Sequence, residues 1–361
     1  MWMEGEGMLH ALYFSKGIDG SWTVVYNNRH VETETFKLEK KRNKPTFLPI
    51  VEGDSLAVLS AYLPNLLRFG KPYKNTSNTN VFEHSGKFYS AVESYLPQEI
   101  DIFTLEALGN WDVNGAWNRP FTAHPKRAPG TGELVTMGIQ GTKPFVEVGV
   151  ISADGNKLVH RVDLKLDRCP LCHEIGVTKR YNVFMDCPLT IDIARLIHGG
   201  QLVKYEREGY ARIGIMPRYG DADSIQWFEA WGNTGASPNS TLKSKTLGFL
   251  CGKQEEGLIK VEYHMFEENT YCTGAAFVPK EGGAEEDDGW IITFLHHEDT
   301  NISQAYIIDT ENFSSEAVAK TTLPCRVPDG FHGAFMPIQL QKRITKMTCE
   351  YRTIPSYISR H

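Results

Sequence analysis

Short runs of β-branched and aromatic residues, each closed by a turn, recur along almost the whole chain. Residues 12–14 and 22–26 flank the turn Lys16-Gly-Ile-Asp-Gly20, and residues 80–82 and 88–92 flank Ser85-Gly-Lys87. Residues 145–151 and 157–164 flank Asp154-Gly-Asn156. Residues 277–279 and 290–295 flank an acidic, glycine-rich turn, and residues 305–308 and 317–323 bracket Asp309-Thr-Glu-Asn312. Extended runs joined by so few turn residues can pair only antiparallel. The pattern predicts an all-β chain of meandering hairpins. A sandwich, a barrel or a propeller could each hold them. Repetition over most of 361 residues favours the propeller, although no WD or Kelch signature marks a blade. Helical patterning is confined to residues 60–69 and 190–198, the second closed by Gly199-Gly200.

Composition excludes several function classes. With 38 Lys and Arg against 44 Asp and Glu the net charge is −6, which lacks the positive footprint of a non-specific nucleic-acid binder. No apolar run reaches the length of a membrane span. The N-terminus has neither the basic and apolar regions of a signal peptide nor the Ser-rich, acid-poor character of a transit peptide. Reduced thiols are therefore expected for the seven cysteines, and the four N-x-[ST] sequons at Asn75, Asn239, Asn301 and Asn312 are read as chance matches. Residues 232–257 (GNTGASPNSTLKSKTLGFLCGKQEEG) break the hairpin rhythm, being polar and without period. They read as an irregular segment longer than loops usually are. The tail after Met336 offers no clear partner strand.

Of the twelve histidines, three stand out by context. His124 sits in Phe121-Thr-Ala-His-Pro-Lys126, where proline fixes the chain. His173 sits in Cys172-His-Glu-Ile-Gly-Val-Thr178, and His332 in Gly330-Phe-His-Gly-Ala-Phe335, where glycines let the backbone crowd around an imidazole. All three are expected at strand ends, where a propeller's axial site would take ligands. Cys169-Pro-Leu-Cys172-His173 also matches the c-type haem attachment string, but strand-like flanks and the absent leader argue against it. Zinc at the same cysteines lacks a second C-x-x-C pair. Glu285-Glu-Asp-Asp288 reads as a solvated turn rather than a cation site.

At these residues the sequence resembles the carotenoid cleavage oxygenase family, and within it the plant enzymes. The matching stretches, in family order, begin with Gly5-Glu-Gly-Met8-Leu-His10, Thr122-Ala-His-Pro-Lys126 with Gly132-Glu-Leu134, and His173-Glu-Ile-Gly-Val177. They continue with Ile213-Gly-Ile-Met-Pro-Arg218, Glu286-Asp-Asp-Gly289 and Arg326-Val-Pro-Asp-Gly-Phe-His-Gly333. Glu262-Tyr-His-Met-Phe-Glu-Glu-Asn-Thr270 resembles plant members near the zaxinone-synthase branch. The resemblance implies a seven-bladed β-propeller with one Fe(2+) on its axis, held by four histidines, of which His124, His173 and His332 match. Outer-shell carboxylates orient such rings, and Glu93 matches one of them. The implied reaction cleaves a carotenoid or apocarotenoid double bond with O2 into two carbonyl products, with no catalytic group beyond the iron centre. An apolar patch, for which residues 60–69 are the candidate, would touch a membrane surface; the alternative is a helix packed on the propeller. Plastid residence is implied, with the cytosol as the alternative.

The chain also departs from the family. The remaining ligand His, with Asn three residues on, should follow Ser224-Ile-Gln-Trp-Phe-Glu229, and no such string exists. Sequence on the order of two blades is absent before Val261, and the family extends ahead of Met1. Gly274 stands where an outer-shell Glu is expected, and Asp329 where Tyr is usual. The expectation is one truncated, incomplete propeller domain over residues 1–340. A deletion junction falls at about 231–257, and 341–361 form an unmatched tail. The alternative function is a catalytically impaired fragment or interaction protein.

Overall fold

The computed structural model describes residues 5–50, 54–207, 209–229, 246–251 and 260–338. Its secondary structure is almost entirely strand, with three α-helices among the described residues. The chain divides into two compact units. The first comprises Met1–Leu9 and Arg29–Thr234, and the second His10–Asn28 and Gly235–His361.

The first unit contains three four-stranded sheets. One runs in chain order through Asn80–His84, Lys87–Ala91, Gln98–Ile100 and Ala107–Asn110. The next uses Lys126–Arg127, Leu134–Ile139, Val146–Ile151 and Leu158–Asp163, and the third Gly176–Val177, Tyr181–Asp186, Arg212–Pro217 and Gln226–Glu229. Every pairing is antiparallel between strands adjacent in the sheet order. A three-stranded sheet of Cys169–Pro170, Leu189–Ile191 and Val203–Tyr205 interleaves with the third along the chain, its first strand preceding Gly176–Val177 and its other two falling between Tyr181–Asp186 and Arg212–Pro217.

The core forms where strands are apolar on both faces. Val146–Ile151 is buried along its whole length and pairs with Leu134–Ile139, of which only Ile139 is partly exposed. Val135, Met137, Val146 and Val148 pack there with Phe184 and Met216. Glu147 breaks this apolar run, and its burial is offset by Arg119 at 2.6 Å and Arg161 at 2.8 Å. Burial opposes ionisation of Glu147, but the two guanidinium groups outweigh it and hold the carboxyl below its ordinary range. Trp117, fully buried, lies on the faces of Gly138 and Gly149. A Cβ at Gly149 would come within 2.6 Å of the indole, so only glycine admits the ring.

Three helices interrupt the strands. Glu34–Arg42 is capped by the Thr33 hydroxyl, which accepts Phe36 N–H, and stops at Asn43 in the left-handed region. Ser55–Phe69 starts where Asp54 accepts Ala57 N–H and stops at Gly70. It buries Val58 and Ala61 with Ile50 and Leu196, while Leu63 and Leu67 stay exposed. The third helix is Ile193–Ile197, capped by Asp192.

In the second unit, Thr270–Pro279, Gly289–His297, Ile302–Asp309 and Ala319–Thr322 form one more four-stranded meander, with Thr246–Cys251 and Lys260–Met265 as a separate antiparallel pair. The strands Met8–Lys16 and Trp22–His30 form a two-stranded sheet. Tyr26, Leu323 and Val327 pack together with Leu12 and Phe294.

The hairpins expected from sequence are all present. Four readings need correction. Residues 246–251, expected to be irregular, form a strand; the residues on either side, 232–245 and 252–257, lie outside the described residues, as does the tail from 339. The helix expected from residue 60 begins at Ser55, because Asp54 supplies the cap. Of the 190–198 helix only Ile193–Ile197 forms, since Leu189–Ile191 is taken into a sheet between Cys169–Pro170 and Val203–Tyr205. His332 is not at a strand end, because the last described strand stops at Thr322.

Candidate metal centre

Two of the three candidate histidines meet within the first unit. His124 stands just before the strand Lys126–Arg127, and His173 before Gly176–Val177. Backbone bonds hold the approach to His124: Phe121 N–H donates to Tyr95 C=O at 3.1 Å, and Thr122 N–H to Met137 C=O at 2.8 Å. Asn80 Nδ2 donates to Ala123 C=O at 2.8 Å. The Thr122 hydroxyl then joins the two ligand positions, accepting His124 N–H at 3.1 Å and donating to His173 C=O at 3.4 Å.

The imidazoles pack edge to face with centroids 4.4 Å apart, and their Nε2 atoms lie 2.9 Å from each other. Each Nδ1 faces a carboxylate: Glu174 Oε1 is 3.3 Å from His124, and Glu93 Oε1 is 2.8 Å from His173. Glu93 Oε1 is buried and lies at ion-pair distance from the imidazole without a hydrogen bond of ordinary geometry. Burial raises the Glu93 carboxyl above its ordinary range, and the neighbouring His173 opposes that rise. Glu174 also pairs with Lys126 at 2.9 Å. His124 is 7% exposed and His173 55%, so one ring faces the interior and the other solvent.

This arrangement fits a metal ion. A carboxylate at Nδ1 favours the N–H there and leaves the lone pair on Nε2. Two Nε2 lone pairs 2.9 Å apart repel unless a cation or a proton lies between them. Two nitrogens each about 2.1 Å from a metal and a right angle apart would be roughly 3 Å from each other, which matches the observed spacing. Imidazole donors suit iron, zinc, copper and nickel, so the donor set is compatible with iron without singling it out.

His332 lies in the second unit. Its backbone rests on Gly274, where the Thr270–Pro279 strand slips register against Gly289–His297 and φ reaches +30°. A Cβ at Gly274 would sit 2.6 Å from His332 C and Gly333 N. Glycine there is the condition for the His332 segment to approach.

The other sequence candidates resolve as structure. Cys169 and Cys172 are buried, and their thiols donate to Gln140 C=O and Glu174 C=O at 3.2 Å each. Burial pushes the Cys169 thiol up to about 11, which disfavours the thiolate a zinc site needs. Cys169–Pro170 is a strand, not the helix of a haem-attachment site. Asp288 accepts N–H bonds from Ala284 and Glu285, a solvated turn as expected. Sequence reasoning missed Glu174 and Thr122. Adjacency of Glu174 to His173 was the available signal for the first. The hydroxyl role of Thr122 depends on two loops meeting, which no local pattern shows.

The family model described as retinal pigment epithelial membrane protein matches residues 1–237 and again 234–337. The chain belongs to this family, the carotenoid oxygenases. It is 27% identical to a carotenoid 9,10(9',10')-cleavage dioxygenase of Crocus sativus, over 93% of this chain and 80% of that protein. It is 23% identical to a 9-cis-epoxycarotenoid dioxygenase of Oryza sativa named as chloroplastic, over 92% of the chain and 75% of that protein. Among solved structures, the lignostilbene dioxygenase of Pseudomonas brassicacearum superposes with a TM-score of 0.75 at 20% identity, covering 93% of this chain and 88% of that one. The all-β fold is therefore that of the carotenoid oxygenases. The Crocus alignment runs over 443 positions, more than the 361 residues of the chain, so that relative carries residues this chain lacks.

Proposed function

We propose that the protein is a non-haem Fe(2+) dioxygenase that cleaves a double bond of a carotenoid or apocarotenoid with O2, each carbonyl product taking one oxygen atom. The observation that carries this reading is the His124–His173 pair, with Nε2 atoms 2.9 Å apart and a carboxylate behind each ring. Membership of the family, whose relatives bear carotenoid-cleavage names, supplies the substrate class.

His124, His173 and His332 each offer one ring nitrogen and are the proposed ligands. A resident Fe(2+) supplies the one-electron chemistry that O2 needs to react with a closed-shell double bond. The chain's own residues hold that centre. Glu93 and Glu174 would favour the Nδ1 protons of His173 and His124, so that the Nε2 lone pairs are the ones offered to the metal. Thr122 ties the two ligand loops together.

Residues 1–340 are proposed to form one such domain, shortened at about 231–257; the family match breaking at 234–237 supports that position. Contact with a lipid surface is proposed through residues 60–69, where Leu63 and Leu67 are exposed. No described helix is long and apolar enough to cross a membrane. Plastid residence is proposed from the chloroplastic relative.

The test is to load the purified full chain anaerobically with Fe(2+) and supply an apocarotenal with O2. Two carbonyl products, each carrying one labelled oxygen from 18O2, support the reading. Iron-loaded chain that leaves the polyene intact supports an impaired fragment instead.

A further inference from the structure

Residues 323–333 belong to no strand, yet anchors within the second unit fix their path. Leu323 N–H donates to Ser303 C=O at 2.8 Å, and Val327 N–H donates to the Ser303 hydroxyl at 2.9 Å. One residue of the Ile302–Asp309 strand thus grips the segment at two points, both on buried residues. The same hydroxyl shares a hydrogen bond with Nδ1 of His296 at 2.9 Å, and both His296 and Ser303 are buried. Between the two grips, Cys325 Sγ meets Asn28 Nδ2 at 3.2 Å and the Tyr26 hydroxyl at 3.3 Å. Beyond them, His332 seats its backbone on Gly274.

A backbone outside any ladder keeps one path only if its N–H groups are bound elsewhere. We propose that Ser303, backed by His296, is a positioning residue for the metal centre: by gripping Leu323 and Val327 it sets the path of the segment that presents His332. The inference rests on the reading of His332 as a ligand. Removing the hydroxyl would leave Val327 N–H and His296 Nδ1, both in buried residues, without this partner, and the segment would lose its second grip.

The test uses the full chain as Ser303→Ala, Ser303→Thr, Cys325→Ala and His332→Ala. Readouts are ferrous iron affinity by chelator competition, the visible spectrum of the Co(II)-substituted chain, and the melting temperature of the metal-free chain. Ser303→Ala should bind iron on the order of tenfold more weakly and change the cobalt spectrum, and Ser303→Thr, which keeps the hydroxyl, should restore both. A purely structural role would lower the melting temperature and leave the spectrum at saturating cobalt unchanged. Native iron affinity and a native spectrum in Ser303→Ala overturn the proposal. If Ser303→Ala does not fold, Cys325→Ala decides at an exposed position: a severalfold loss of iron affinity supports the proposal and none overturns it. Unchanged iron binding in His332→Ala would instead remove the ligand reading itself.

Discussion

In the first unit, His124 and His173 are oriented by side chains, with Glu174 and Glu93 within 3.3 Å and 2.8 Å of their Nδ1 atoms. In the second, the place where the family resemblance calls for another carboxylate is Gly274, and what it provides is room: the His332 backbone lies against it. The first arrangement sets a carboxylate behind each ring at Nδ1. The second fixes the path of the chain and leaves ring orientation to whatever the chain brings with it. Carboxylate support and backbone support should therefore fail differently, and substitutions can separate them.

The largest effect is expected from His124→Ala or His173→Ala, which removes half of the first unit's imidazole pair. Iron affinity should fall by more than about a hundredfold, beyond the loss typical of an outer-shell change. Equilibrium dialysis against Fe(2+) measures it, and affinity within tenfold of native would break the assignment of the pair. Next come Glu93→Gln and Glu174→Gln, which keep the shape but weaken the hold on Nδ1. Affinity should fall about ten- to a hundredfold in each. A smaller loss for Glu174→Gln is expected, because that contact is longer and Glu174 also serves Lys126.

Gly274→Ala addresses the other kind of support. The added Cβ meets backbone at 2.6 Å and the φ of +30° is unfavourable for alanine, so the chain should lose about 1–3 kcal/mol of stability. Denaturant unfolding with iron titration alongside would show whether iron affinity falls with it, as the comparison requires. The smallest effect lies away from the site. Glu147 has its carboxyl held low by Arg161 and Arg119 against the cost of burial, so its ionised form stabilises the folded state above the ordinary value of 4.5. That stability is lost as pH falls through the depressed folded value. Glu147→Gln should flatten the acid limb of a stability–pH curve and leave iron binding unchanged.

Much of this was legible in the sequence because turn chemistry is local. Asp154-Gly-Asn156 and Ser85-Gly-Lys87 announce hairpins in a few residues, and both form. The helix Glu34–Arg42 was not legible: it is charged through most of its length, and its signals are the caps at Thr33 and Asn43 rather than an apolar period. The strand Thr246–Cys251 was hidden by the polar run around it. At the site, His124, His173 and Glu93 were marked by motif. Thr122 and Glu174 acquire their roles only when two loops from different sheets meet. Gly274 read as a lost carboxylate, and its positive φ and close approach to His332 show what glycine supplies there.

The central claim is that His124 and His173 form one metal-binding pair in this chain. Chelator-stripped protein titrated anaerobically with Fe(2+) tests it most directly, native chain beside the His124→Ala/His173→Ala double variant. The account predicts one iron per native chain and none retained by the variant. Equal iron retained by both would contradict it.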